Sequence, residues 1–481
     1  MDAMTPAGPI AIARHDFTPQ LRIMVRLRSV ATRAMPTQYP RYARSMHSKP
    51  HRLRTTFVVL IIVGGALGAA FGLGAFSGPS LTPAQIAARA AAARARKIIA
   101  AEKRAVRRAE AQLETVLPTK LATPAPTVPA QLFANPLRPH EVVGFVPYYT
   151  LSTLSPADFT DTSVLCYFGL GLTANGSLME PVSWVSLQSD TFATFLASAR
   201  AANDETLLTV SSFARSTIGA LTRNASTTAP RLAGELAPLV TSTGLSGVDI
   251  DIEGRWSADR AGFVRFMNDF SKAFRSADPK SVILLDTYPQ SAAGTRDFFN
   301  IKKLAPDIDQ FFVMEYAMEN VDNASANAPA FSPNLGVSTV QTLIQYKKLV
   351  PSSKIILGLP FYGYDFSTMS GRPGADTTSP DPEAVTYEAI ASIDRPALWD
   401  PVSETLFTRF EEAKQWHETW YDNPVSLALK VALAIDFHEA GIGVWALGME
   451  GSDAAMLSAL DGGTAPLKGS LQPAPASAAS N

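Results

Sequence analysis

The apolar and polar positions from residue 142 onward alternate between two repeating patterns. Short apolar runs rich in β-branched residues predict strands, and longer stretches with apolar residues three or four apart predict helices. Eight strands are predicted, at 142–149, 163–172, 206–213, 247–253, 282–289, 308–317, 354–363 and 441–448. Helices are predicted between most of them, at 188–202, 229–242, 259–276, 338–349 and 425–440.

This alternation predicts an α/β fold with a parallel sheet. Eight strand–helix units favour a closed (β/α)8 TIM barrel within residues 140–463. An open doubly wound sheet is the alternative, but it calls for a glycine-rich first turn that the sequence lacks. The gap at 364–424 is too long for a plain connection and is rich in aromatic residues, so a small insertion is expected after strand seven.

The first 120 residues have a different composition from the rest. The whole chain carries 42 Lys and Arg against 43 Asp and Glu, but basic residues dominate the head and acidic ones the body. Residues 57–76 form an uncharged apolar run long enough to cross a bilayer as a helix. A buried core helix is the other interpretation, although such helices rarely lack every polar residue. The basic segment at 1–56 then predicts a cytoplasmic N-terminus and an extracytoplasmic body, in the periplasm or at the cell surface.

The region after this run is low in complexity. Residues 77–117 predict an Ala- and Arg-rich helical stalk, 118–139 a Pro-rich linker, and 464–481 a disordered tail. The stalk has no interleaved aromatic residues, so nucleic acid is not an expected partner. Translation from Met46 would leave an ordinary signal-peptide start, and cleavage after the apolar run stays open.

Three acids alternate with three aliphatic residues on the fourth predicted strand, in the stretch LSGVDIDIEG at 245–254. Successive side chains of a strand point to opposite faces, so Asp249, Asp251 and Glu253 share one face. In a barrel that face points into the interior, where unpaired carboxylates are costly. A solvated acidic stripe is the structural alternative. Coupled buried acids have pKa values driven apart, and one of them then stays protonated near neutral pH.

Other chemistry has little support in the sequence. The single cysteine, Cys166, allows no intrachain disulfide. The six histidines show no metal-ligand spacing, and no phosphate-binding glycine loop occurs. Neither a metal nor an organic cofactor is therefore expected.

The acidic strand resembles the Asp-x-x-Asp-x-Asp-x-Glu signature of family-18 glycoside hydrolases, which include chitinases and bacterial cell-wall and spore enzymes. VVGFVPYY, FVMEYA, KIILGLPFYGYDF and GIGVWALGME resemble the family's first, sixth, seventh and eighth strands, over about residues 142–463. WYDNPVSLALKVALA resembles the helix before the last strand in bacterial members.

The resemblance implies hydrolysis with retention, in which the substrate's own N-acetyl group takes part. It makes Glu253 the general acid, Asp251 the residue that orients the acetamido group, and Asp249 its tuning partner. Tyr316 would bind the acetamido oxygen and Trp445 would form the floor under the sugar. The residues that could also line the groove, each with core packing as the alternative, are Phe145, Tyr148, Met314 and Tyr362.

The sequence departs from the family pattern at three places. Ser246 stands where the signature has its first acid, and Ser211, Ser212 and Phe213 replace a small glycine-rich element. Ala317 stands where an Asp often follows the sixth-strand tyrosine, with Glu315 or Glu319 as possible substitutes.

The expected function is that of a membrane-anchored hydrolase of N-acetylglucosamine-containing polysaccharide, such as chitin, peptidoglycan or an exopolysaccharide. A non-catalytic carbohydrate-binding protein on the same barrel is the alternative, since fold does not fix function. The retained acid Glu253 favours the enzyme.

Overall fold

The computed structural model describes residues 138–179, 182–294, 297–332, 337–469, 471 and 473. The apolar run at 57–76 and the stalk at 77–117 lie outside these residues, as does the linker as far as 137. None of the helices in the described part is both long and apolar enough to span a bilayer.

Eight parallel strands close into a barrel in the order β1-β13-β7-β6-β5-β4-β3-β2. Its strands are β1 (Glu141–Pro147), β2 (Val164–Gly171), β3 (Glu205–Ser212), β4 (Gly247–Ile252), β5 (Val282–Thr287), β6 (Gln310–Met314), β7 (Ile355–Pro360) and β13 (Gly441–Trp445). All eight predicted strands are present, and the predicted barrel is confirmed. Strand β6 ends three residues earlier than predicted; the chain then departs from extended geometry, with Ala317 at a φ of 57°.

The longer helices bury an apolar face against the outside of the barrel. The α-helices of the described part are α1 (Pro156–Thr160), α2 (Val182–Leu187), α3 (Asp190–Ala201), α4 (Arg215–Arg223), α5 (Ala225–Thr243), α6 (Arg260–Ala277), α7 (Ile301–Leu304), α8 (Thr339–Tyr346), α9 (Tyr387–Ala391), α10 (Pro424–Asp436) and α11 (Ala454–Ser458). Helix α6 shows the rule, because Phe263, Phe266, Phe270 and Phe274 recur at helical spacing and are all buried. Burying each ring contributes roughly 1.5–3 kcal/mol.

A second sheet is inserted between β7 and α10. Its antiparallel strands run in the order β10-β11-β12-β8-β9. They are β8 (Tyr362–Thr368), β9 (Glu383–Thr386), β10 (Ala397–Asp400), β11 (Thr405–Glu412) and β12 (Gln415–Tyr421). The sheet has its own core, in which Phe407 stacks on Trp420 with ring centroids 4.5 Å apart. A single residue, Phe361, separates the end of β7 from the start of β8, so the sheet is held at the carboxyl end of the barrel strands.

Candidate active site

The alternation of β4 divides its side chains as the sequence predicts. Val248, Ile250 and Ile252 lie in the core between barrel and helices. Asp249 and Asp251 therefore point into the barrel, where their residues are only 0% and 4% exposed. Glu253 follows the last residue of β4, at the carboxyl end of the barrel, and its side chain is 13% exposed. In TIM barrels this end carries the active site.

The neighbouring strand β5 adds a fourth carboxyl group, Asp286, which is 3% exposed. Burial raises the pKa of Asp286 well above its usual range, and the charges of Asp249, Asp251 and Glu253 raise it further. Burial also raises the pKa of Asp249 to about 7, although the approach of the Thr209 hydroxyl and the Asp286 carboxyl partly offsets that rise. The pKa is raised at both acids, and these shifts favour a proton on Asp286 over one on Asp249.

Asp251 lies between Asp249 and Glu253 along the chain and is part of β4. Burial raises its pKa well above the usual range, and the charges of Glu253 and Asp249 raise it further. Its register partner on β3 is Ser211, one of the serines that depart from the family pattern. Ser246, which stands where the family signature has its first acid, precedes β4. Its backbone N–H donates to the Thr206 carbonyl near the start of β3, at the end of the barrel opposite Glu253. The group of acids that influence one another inside the barrel therefore begins at Asp249 and includes Asp286.

Glu253 has two partners at the barrel mouth. The Tyr288 hydroxyl donates a 2.9 Å hydrogen bond to Glu253 Oε2, and an Arg255 guanidinium nitrogen lies 3.4 Å from the same oxygen. Burial raises the pKa of Glu253, while Arg255 and the Tyr288 hydrogen bond act against that rise. A carboxyl group with a raised pKa at an open cleft is suited to donate a proton near neutral pH.

Tyr316 and Tyr362 complete the acidic side of the mouth. Tyr316 lies two residues beyond β6, with its ring edge-on to Tyr362 at 5.9 Å. Its pKa is raised well above the usual range by burial and by the charges of Asp286, Asp251 and Glu253. Its hydroxyl therefore stays protonated and is available as a donor near the acids. Tyr362 opens β8, so the insertion supplies one wall of the cleft.

Trp445 ends β13 and forms the apolar side of the mouth. It packs edge-on to Phe168 at 4.7 Å and against Phe145 at 5.7 Å. Phe145 is 1% exposed and Met314 is 7% exposed, so both support the mouth from within the barrel core and offer little surface to a ligand. Tyr148 is half-buried at the end of β1.

The two candidate substitutes for the acid at Ala317 lie in different places. Glu315 is fully buried, and burial raises its pKa. Thr342, Thr339 and Lys430 act against that rise. These three residues belong to helices α8 and α10, so Glu315 lies among the outer helices. Glu319 lies by the cleft, where its charge raises the pKa of Tyr362. Burial raises the pKa of Glu319 itself to about 7. Only Glu319 is near the site.

Sequence reasoning missed Asp286 and Tyr288. Both stand in VILLDTYP at 282–289, alternating with Leu284 on the inward face of β5. The same two-residue period that singled out the β4 acids would have placed them inside the barrel. A single acid in an apolar run gave a weaker signal than three. Among the described residues no group of three or more His, Cys, Asp and Glu side chains is arranged to hold a metal ion.

A closed parallel barrel with linked carboxyl groups at its carboxyl mouth defines a class of glycoside-cleaving barrels. Residues 170–450 match the model of glycosyl hydrolases family 18, which is more than half of the chain. The chain belongs to this family, as its resemblance indicated.

Individual relatives are distant. Human di-N-acetylchitobiase is 24% identical over 225 residues, covering 42% of this chain and 57% of that protein. The chain matches less than two thirds of the length of this and other curated relatives. The structure of the Bacillus cereus spore cortex-lytic enzyme SleL is similar with a TM-score of 0.56 and 16% identity, over 69% of this chain and 76% of that one. A chitinase-like agglutinin from Robinia pseudoacacia gives 0.57 and 21%, over 66% and 98%. These structures show the shared fold.

Proposed function

We propose that this protein is a membrane-anchored, extracytoplasmic glycoside hydrolase that cleaves N-acetylglucosamine-containing polysaccharide with retention of anomeric configuration. The observation that carries the proposal is the position of Glu253. It lies at the barrel mouth with a raised pKa and a hydrogen bond from Tyr288, directly above three buried acids. Family membership and the names of the relatives, which include chitobiases and chitinases, support the substrate class.

In the first step Glu253 gives its proton to the glycosidic oxygen. The carbonyl oxygen of the substrate's acetamido group attacks the anomeric carbon as the bond to the leaving sugar breaks. The electron pair of that bond goes to the leaving oxygen, and an oxazolinium ion forms on the remaining sugar. No carboxylate of the protein needs to bond to carbon.

Asp251 holds the acetamido N–H and offsets the positive charge that develops on the ring. A proton kept on the Asp286 and Asp249 pair leaves that pair with one negative charge at most, which lowers the cost of an ionised Asp251 beside it. The Tyr316 hydroxyl donates to the acetamido oxygen, and Trp445 forms an apolar surface under the sugar. Donors and acceptors fixed before the reaction stabilise the transition state without reorganisation.

In the second step Glu253 acts as a base. It takes a proton from water, the hydroxide attacks the anomeric carbon, and the oxazolinium ring opens to restore the acetamido group. Two displacements at one carbon return the original configuration.

The anchor belongs to the same proposal. The apolar run at 57–76, with basic residues before it, would hold the barrel on the outer side of a membrane through the stalk and the linker. Fractionation of cells and protease treatment of spheroplasts, from which the outer envelope has been removed, test this arrangement. Degradation of the barrel only after the spheroplasts are lysed would overturn the extracytoplasmic placement.

The decisive experiment follows N-acetylglucosamine oligomers by mass spectrometry with the parent protein and Glu253→Gln. Glu253→Gln should lower the rate by at least about 10²–10⁴-fold, the usual contribution of general acid–base catalysis, while it still binds the oligomers. Glu412→Gln, an exposed exchange on β11, is the matched control. NMR of the first product should show the β-anomer, and fully deacetylated oligomers should not be cleaved. Cleavage by Glu253→Gln at the parent rate, or of deacetylated oligomers, would overturn the mechanism.

The alternative is a carbohydrate-binding protein without activity. Binding of the oligomers without cleavage by either protein would establish it. A chitinase-like agglutinin is among the similar structures, which is the observation that favours testing this alternative.

A further inference from the structure

Two arginines follow adjacent barrel strands at the mouth. Arg255 lies in the loop after β4, and Arg215 begins α4 just after β3. The Arg255 guanidinium lies over the Tyr288 ring at 4.9 Å, and the Arg215 guanidinium lies over the Trp256 ring at 4.7 Å. Stacking on an aromatic face fixes the plane of a guanidinium and leaves the N–H groups at its edge free to donate.

In the part of the chain that the structure describes, Arg255 makes one long ion pair, with Glu253, and Arg215 makes none. The contact of Arg255 with Glu253 is 3.4 Å, longer than the 2.7–2.9 Å typical of a charge-assisted hydrogen bond. The Arg255 side chain remains 38% exposed, and Arg215 is exposed. Within the described ranges no carboxylate other than Glu253 lies within ion-pair distance of either guanidinium. Most of their donors therefore face the cleft or solvent.

This arrangement bears on the charge of the substrate. The barrel below holds four carboxyl groups, and any that are ionised repel an anionic sugar. A neutral polymer has no need of one oriented cation beside Glu253 and a second after the adjacent strand. An acidic polymer needs them, because a guanidinium binds a carboxylate through two parallel hydrogen bonds.

We propose that Arg255, assisted by Arg215, forms a subsite for a carboxylate on a sugar next to the cleaved bond. The preferred substrate is then an N-acetylated glycan that carries carboxylates, rather than a neutral one. This inference rests on the proposed function and narrows its substrate class.

A second expected effect distinguishes a carboxylate bound to Arg255 from general electrostatic attraction of an anionic glycan to the cleft. Burial raises the pKa of Glu253, and the Arg255 guanidinium 3.4 Å from its carboxylate opposes that rise. A substrate carboxylate on Arg255 would weaken that effect, because the charge of the guanidinium is then shared. The alkaline limb of the rate profile should therefore lie at higher pH for a carboxylated glycan than for the same glycan without its charge.

The test compares three hexasaccharides with the full-length protein. One contains only N-acetylglucosamine, one alternates N-acetylglucosamine with N-acetylmuramic acid, and the third is the second with its lactyl carboxyl groups reduced to alcohols. The carboxylate should raise kcat/KM over the alcohol by about tenfold or more, the value of one hydrogen bond to a charged group. Arg255→Gln should bring the ratio of kcat/KM for the acid to that for the alcohol close to one. Arg215→Gln should reduce this ratio, and the exposed Arg265→Gln on α6 should leave it unchanged. The melting temperature of each variant shows whether it is folded.

Equal rates on the acid and the alcohol would overturn the subsite while the proposed function stands. So would a preference that survives Arg255→Gln. If no glycan is cleaved, the proposed function fails, and calorimetric affinities for the acid and the alcohol decide the subsite alone. Tighter binding of the acid by the parent but not by Arg255→Gln would support it, and equal binding would overturn it.

Discussion

Tyr288 donates a hydrogen bond of 2.9 Å to Glu253 Oε2, which joins the inward face of β5 to the end of β4. The bond favours the ionised form of Glu253, as does Arg255 on the same oxygen, and both oppose the effect of burial. The acidity of the proposed general acid is therefore set by three elements of the structure. A strand pattern that considers β4 alone cannot reveal this balance.

Tyr288→Phe should move the alkaline limb of the kcat/KM profile upward by about one pH unit, because a hydrogen bond to a carboxylate contributes roughly 1.5–3 kcal/mol. The sign follows from the loss of a donor to the ionised form, which raises the pKa of Glu253. Tyr387→Phe is the matched control, since it removes a 2.7 Å hydrogen bond to Asp453 away from the site. A limb that stays in place or moves down would contradict the role of Tyr288.

Asp286→Asn should keep activity within about tenfold of the parent, because the amide can donate to Asp249 as the protonated acid does. Asp286→Ala should lower activity and destabilise the protein by about 1–3 kcal/mol, the cost of leaving a buried polar group unsatisfied. Steady-state kinetics and urea denaturation measure the two effects. Equal damage from both exchanges would show that Asp286 does not carry the proton.

Trp445→Ala should weaken binding of N-acetylglucosamine oligomers by about tenfold or more, because the half-buried ring is the proposed apolar floor under the sugar. Trp445→Phe should weaken it less, since a smaller ring still packs against Phe168. Calorimetric titrations of these exchanges in a Glu253→Gln background separate binding from cleavage. Trp416→Phe on β12, which is 36% exposed, is the control. Unchanged affinity of Trp445→Ala would place that ring in the core alone.

The stability of the barrel should fall as pH rises from 5.5 to 8.5. Burial raises the pKa of Glu439 and of Glu450 to about 8. In this window the folded protein binds more protons than the unfolded chain, so its stability decreases with pH by up to about 1.4 kcal/mol per unit for each such group. Melting temperatures at several pH values measure the slope.

Glu439→Gln should make that slope shallower, because it removes one of the groups, and the exposed Glu412→Gln should leave it unchanged. A melting temperature that is constant or rises across the window would contradict the assignment.

The sequence by itself determined the barrel and the side to which the β4 acids point. Two periods were enough for this: alternation in the strands and the three-to-four spacing of the helices, which shows in the buried phenylalanines of α6. The length of the segment after β7 indicated an insertion, because no simple connection needs so many residues. These features are local and repeat along the chain.

Only the tertiary structure decided which other groups meet the acids. Asp286, Tyr288 and Arg255 lie up to 39 residues from Asp249 in sequence but join the same site, because neighbouring strands of a closed barrel bring their inward residues together. It also separated Glu319, which lies at the cleft, from Glu315, which lies among the outer helices. Burial and contact depend on the whole packed chain, so local patterns could propose the acids of this site but not their partners.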